Sequence, residues 1–149
     1  MHAKACAAIM VAGCAYQGGS FHSMDQPFPG ARASAGCLDI AIKRRPDIAH
    51  SAVVEYAFGN RCERPAVVDL ASALVVSRSG ESTPIRLKPF DPRHEIVPRE
   101  IDGLAVGGEA IAYLSEGPID SLCVDPGSIA RTAAEGFLCF TAPSAEDEQ

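Results

Sequence analysis

Apolar and polar positions alternate with a period of two through much of this chain, the spacing of strands with one buried face. The stretch 51–76, SAVVEYAFGNRCERPAVVDLASALVV, is the one around which the rest is organised. Val54, Tyr56 and Phe58 share one face of a first strand. Val68, Leu70, Leu74 and Val76 share one face of a second. Gly59, Asn60 and Arg61 supply turn chemistry between the two, and Pro65 marks where the second strand can begin. Upstream, Leu38, Ile40 and Ile42 alternate with Asp39, Ala41 and Lys43, a strand opened by Cys37. Lys43, Arg44 and Arg45, followed by Pro46, read as its solvated end.

Downstream, Ile85 and Leu87 predict a short strand. Leu104–Leu114 reads as a Gly107-Gly108 turn and then a strand with Ile111 and Tyr113 on one face, the Tyr113 hydroxyl at the core's edge. Ile119–Val124 and Phe137–Phe140 are further short strands. Asp125 and Pro126 have the chemistry of an N-cap and a first helical position, with Gly136 as the stop. About seven strands and one short helix near the C-terminus predict an all-β fold: an antiparallel β-sandwich, immunoglobulin-like in architecture, with a small barrel as the alternative.

Composition refines this picture in two places. With 149 residues there is enough chain for one ordinary domain, and with 6% aromatics and no Trp the core must come mostly from Val, Ile, Leu and Ala. A net charge of -6 is poorly suited to nucleic acid, whose binding depends on Lys and Arg contacts to phosphate.

The first fourteen residues, MHAKACAAIMVAGC, place Lys4 before a short apolar run and then the small residues Ala12 and Gly13. This is the layout of a secretory signal. Val11-Ala12-Gly13-Cys14 resembles the lipobox of bacterial lipoproteins. The resemblance implies a signal peptide over 1–13, removed by cleavage before Cys14. It implies acyl chains, palmitate among them, on Cys14, and a membrane partner reached through that anchor. Ala15 directly after the Cys implies transport to the outer membrane, with the domain facing the periplasm. Residues 14–36, rich in Gly, Ser and Pro, then read as a flexible tether with a reach of roughly 25 Å. The β-sandwich domain occupies 37–140, and 141–149 form an acidic, frayed tail.

Export bears on the cysteines. Setting aside Cys6 and Cys14, four remain: Cys37, Cys62, Cys123 and Cys139. An even count in an exported domain predicts two disulfides, and four Cys allow three pairings. Strand order suggests Cys37 with Cys139, first strand to last, and Cys62 with Cys123.

Candidate chemistry is sparse. Asp91, His94 and Glu95, in FDPRHEIVPREIDG, form the one local cluster with metal or acid–base character. Pro92 and Pro98 leave little room for the helix that would align them, so the segment reads as a loop with Ile96 and Ile101 tucked into the core. No catalytic residue, metal or cofactor is assigned. The run Val54–Phe58, Asn60, Pro65–Leu70 and Asp91-Pro92 is similar to small sandwich domains of bacterial envelope lipoproteins, and more distantly to the BsuPI-type proteinase inhibitors. The expected function is therefore non-enzymatic: a membrane-anchored lipoprotein whose sandwich binds or scaffolds an envelope protein or cell-wall partner. The alternatives are a protease inhibitor or sensor using the loop Phe90–Gly103, and a metal-dependent enzyme using Asp91, His94 and Glu95.

Overall fold

The computed structural model describes residues 15–18, 30–46, 51–73, 75–78, 86–114, 119–133 and 136–141. Among these there are ten strands and one helix: β1 (Ala31–Ala35), β2 (Leu38–Arg44), β3 (Ser51–Asn60), β4 (Ala66–Val68), β5 (Val75–Arg78), β6 (Arg86–Pro89), β7 (Arg99–Ile101), β8 (Val106–Leu114), β9 (Ser121–Val124), α1 (Pro126–Ala130) and β10 (Leu138–Thr141). All pairings are antiparallel. A five-stranded sheet runs β1-β2-β3-β8-β6, a three-stranded sheet β10-β9-β5, and a small ribbon β4-β7.

One apolar cluster fills the space between the sheets. Leu38, Ile40 and Ile42 of β2, Val54, Tyr56 and Phe58 of β3, and Ile111 and Tyr113 of β8 supply one wall. Leu122 and Val124 of β9 belong to the same cluster, with Val68, Leu70, Ile101 and Ile129 alongside. The fold is thus an all-β, sandwich-like arrangement, and the even positions of β3 form the buried face that the period of two requires. Each of these side chains removed from water contributes about 1.5–3 kcal/mol against the entropy of ordering the chain. The hydroxyls of Tyr56 and Tyr113 share a hydrogen bond of 2.7 Å inside the core. Tyr113 therefore does not reach the edge: it is fully buried, and burial holds both phenols above their usual range, Tyr113 at about 12.

The observed strands exceed the expected seven, and several sequence readings change. The run 51–76 does not make two mutually paired strands. β3 pairs with β2 and β8, β4 pairs with β7, and β5 with β9. Gly59 and Asn60 are not turn residues but the last residues of β3, and Asn60 is completely buried. Its side-chain amide donates to the carbonyls of Arg64, Ile101 and Asp102 at 2.8, 3.1 and 3.1 Å, and its Oδ1 accepts from the Cys62 N–H at 2.9 Å. One side chain thereby satisfies the backbone of two loops that leave the sheet at this end.

The cationic end of β2 is solvated only in part: Arg45 is exposed, but Arg44 is not. Arg44 is 5% exposed and donates to the carbonyls of Ile119 and Asp120, while Arg45 pairs with Glu55 at 2.6 Å. Helix α1 starts where expected, with the Asp125 carboxylate accepting from the Gly127 N–H at 2.9 Å. It stops five residues short of Gly136, because Arg131 takes a left-handed φ of 54° as its C-cap. From there the Arg131 guanidinium reaches the buried carboxylate of Asp69 at 2.8 Å. Burial alone would raise the Asp69 pKa, but the hydrogen bonds from Arg131 and Ser72 outweigh it and leave the group below its usual value.

The disulfide pairing is also corrected. Cys37 joins Cys62, and Cys123 joins Cys139. Cys37 precedes β2 and Cys62 follows β3, so the hairpin register brings them to the same end, with Cα atoms 5.4 Å apart. Cys123 and Cys139 are register partners on β9 and β10. They sit between core residues on each strand and so share the opposite face of the small sheet. Cys37 lies in the turn between β1 and β2 of the five-stranded sheet and Cys139 lies on the three-stranded sheet, which is why a pairing based on chain order does not form. Neither bridge crosses the sandwich in the immunoglobulin manner.

Candidate functional site

A groove of about 700 Å³ lies along the first half of β8. Strand β6 pairs with Ile111–Leu114 and the Phe90 N–H donates to the Ala110 carbonyl at 3.1 Å, so among the described residues Val106–Glu109 have no strand partner on that side. The chain from Pro89 to Arg99 bows around this gap and forms the wall, with Gly108, Glu109 and Ala110 as the floor. Gly107-Gly108 is accordingly part of a strand, not a turn. Gly108 and Ala110 keep the floor low on either side of Glu109, and in the sequence the glycines carry the signal of a turn.

Two sets of charges in the groove are engaged locally. The Asp91 carboxylate accepts from the Arg93 guanidinium at 3.0 and 2.7 Å and from the Arg93 backbone N–H at 3.0 Å. These bonds, the guanidinium's foremost, hold the Asp91 pKa down at about 2. The Arg99 guanidinium donates to the Gly108 carbonyl at 2.8 Å and lies 3.9 Å from Glu109. Against these pairs stand two exposed apolar side chains, Phe90 at 45% and Val97 at 52%. Periodicity gave no signal for either, since both lie in an irregular loop.

The sequence-predicted site residues divide accordingly. Asp91, His94 and Glu95 do line one groove, but Asp91 is committed to Arg93, and the His94 backbone N–H closes a turn onto the Asp91 carbonyl at 3.0 Å. Among the described residues no group of three or more His, Cys, Asp or Glu side chains is placed to hold a metal ion. The loop does send Ile101 into the core, with Ile96 partly buried against it. Cys14, the expected lipidation residue, and the expected signal 1–13 lie outside the described residues, as does most of the tail.

The tether is corrected in part. Within 14–36, Ala31–Ala35 form β1, and Tyr16 is packed into the domain at 6% exposure. The Tyr16 ring lies over Gly59, where any side chain would overlap it, and beside Ala41 and Ala57. Its hydroxyl donates to the Asp39 carboxylate at 2.7 Å, and its backbone N–H donates to the Leu104 carbonyl at 2.6 Å. Asp39 also accepts from the Ser34 hydroxyl at 2.6 Å and lies 3.0 Å from the Arg61 guanidinium. Composition gave no warning of this clasp, because its socket is assembled from three distant stretches of chain.

No protein family and no curated protein matches the sequence. Among solved structures, the fold is similar to that of the yjhA protein from Bacillus subtilis, with a TM-score of 0.47 and 11% sequence identity over 70% of this chain and 84% of that chain.

Proposed function

We propose that this chain is an exported, lipid-anchored envelope lipoprotein whose β-sandwich binds another envelope component through the groove beside β8. The observation that carries the binding role is the groove itself. Asp91 is paired with Arg93, and Arg99 is held by Gly108 and Glu109, so the surface left for a partner joins the exposed Phe90 and Val97 to the His94 and Glu95 side chains. Exposed apolar side chains with a few polar groups at their rim favour a protein segment. Export is supported by the two disulfides, which persist in oxidising compartments. Anchoring rests on the lipobox-like Val11–Cys14, with Ala15 favouring the outer membrane and a periplasm-facing domain. The function is binding or scaffolding rather than catalysis.

The test is chemical cross-linking in the envelope of the native host, comparing the natural chain with Phe90→Ser/Val97→Ser. Both side chains are exposed, so the double variant should keep its melting temperature within a few degrees. The expected result is a specific cross-linked partner that the variant loses. A partner retained by the variant would overturn the groove as the binding surface. A protease as the sole specific partner would move the reading to an inhibitor built on the loop Phe90–Gly103.

A further inference from the structure

We infer that the outer face of the five-stranded sheet, at Tyr16 and Val106, is the surface that lies against the bilayer, so that the domain is seated on the membrane instead of hanging from a long tether. This rests on the lipid-anchored reading above. Only two peptide units separate Cys14 from Tyr16, a span of about 7 Å at full extension. Tyr16 is fixed to the domain by its ring over Gly59, its hydroxyl on Asp39 and its backbone bond to Leu104. An acylated Cys14 must place its lipid glycerol at the membrane surface. The headgroup layer is itself some 5–7 Å thick, so Tyr16 and its socket then stand at headgroup level.

The neighbouring surface fits that position. Val106 is the register partner of Gly59, so it projects on the same side of the sheet as the Tyr16 ring, one strand away. It is 65% exposed, the highest value among the exposed large apolar residues described. An exposed β-branched apolar side chain beside a tyrosine is suited to a membrane interface. The groove floor begins at Gly108, two residues further along β8 and about 7 Å away. Seating therefore holds the groove close to the membrane, where it meets partners that present a segment at that level.

The absence of Trp makes the test direct. Val106→Trp and, separately, Phe137→Trp each introduce a single reporter. Phe137 is 44% exposed and immediately precedes β10, in the other sheet. Each protein, with its acyl mass on Cys14 verified, is placed in vesicles of phosphatidylethanolamine and phosphatidylglycerol containing acyl-brominated phospholipid. The expected result is fluorescence of Val106→Trp reduced by about half or more, with Phe137→Trp little changed. Adding Tyr16→Ala, or Gly59→Ala to displace the ring while keeping the tyrosine, should abolish that difference, because residues up to β1 then act as a tether. Equal quenching at both reporters, or none at either, in acylated protein would overturn the inference while leaving the lipoprotein reading intact. Selective quenching that survives both additional substitutions would overturn the role of the clasp. A chain without acyl mass would overturn the lipoprotein reading, and this inference with it.

Discussion

Reduction of both disulfides should remove most of the domain's stability. Cys37–Cys62 and Cys123–Cys139 close loops with sequence separations of 25 and 16 residues. Restricting the unfolded chain to that extent contributes about 3.5 and about 3 kcal/mol respectively, provided the bridges fit without strain. Their sum, about 6.5 kcal/mol, is comparable with the whole stability of an ordinary domain. Thermal unfolding with and without reductant checks this. Cys123→Ser/Cys139→Ser alone should lower the melting temperature by roughly 10 °C. Cys37→Ser/Cys62→Ser should lower it slightly more, because its loop is longer and it ties the end of β3 beside the Asn60 hub. Chain made in a reducing compartment should be recovered mainly unfolded. Indifference of the melting curve to reductant would mean that the sheets hold together without their staples.

Asn60→Ala should cost about 2–3 kcal/mol, more than most single truncations of its size, because it strips the donor from the buried Ile101 carbonyl and breaks three part-buried bonds beside it instead of merely removing bulk. Three carbonyls lose their shared donor, and the Cys62 N–H loses its acceptor. Asn60→Asp is the sharper probe. A carboxylate can still accept from Cys62 but can only repel the carbonyls of Arg64, Ile101 and Asp102. A protonated acid can donate to one of them. The folded state therefore favours the neutral acid, and its pKa in Asn60→Asp should rise above the unfolded value of about 3.9. By linkage, that variant is most stable below the unfolded pKa and loses stability as pH climbs through the folded one. Denaturant midpoints from pH 3 to 7 should diverge from those of Asn60→Ala in that direction. Equal midpoints for the two variants across the range would remove Asn60 from its proposed role.

The buried faces were legible because they are local. Val54, Tyr56 and Phe58, or Leu38, Ile40 and Ile42, need only the period of two to be recognised, and all six reach the core. Asp125-Pro126 announced the start of α1 for the same reason. What was not legible depends on residues far apart in sequence. Arg44 looked solvated beside Lys43 and Arg45, yet it caps carbonyls some seventy-five residues away. Tyr16 looked like tether until Gly59, Asp39 and Leu104 were brought beneath it. The cysteine pairs followed register, which no count of strands supplies. In the candidate site, Asp91, His94 and Glu95 were found together, but the Arg93 side chain between them decided what Asp91 does. Phe90 and Val97 became visible only as exposed residues on a folded surface.

The central claim is that the chain is exported, acylated at Cys14 and oxidised. Intact mass of protein purified from the membranes of a Gram-negative host, beside Cys14→Ala, tests it most directly. The account predicts a mature chain that starts at Cys14 and carries acyl mass absent from the variant. Without reductant it should be lighter than its reduced form by the hydrogens of two disulfides, with peptide mapping linking Cys37 to Cys62 and Cys123 to Cys139. An unmodified chain beginning at Met1, recovered from the cytosol with its thiols free, would contradict it.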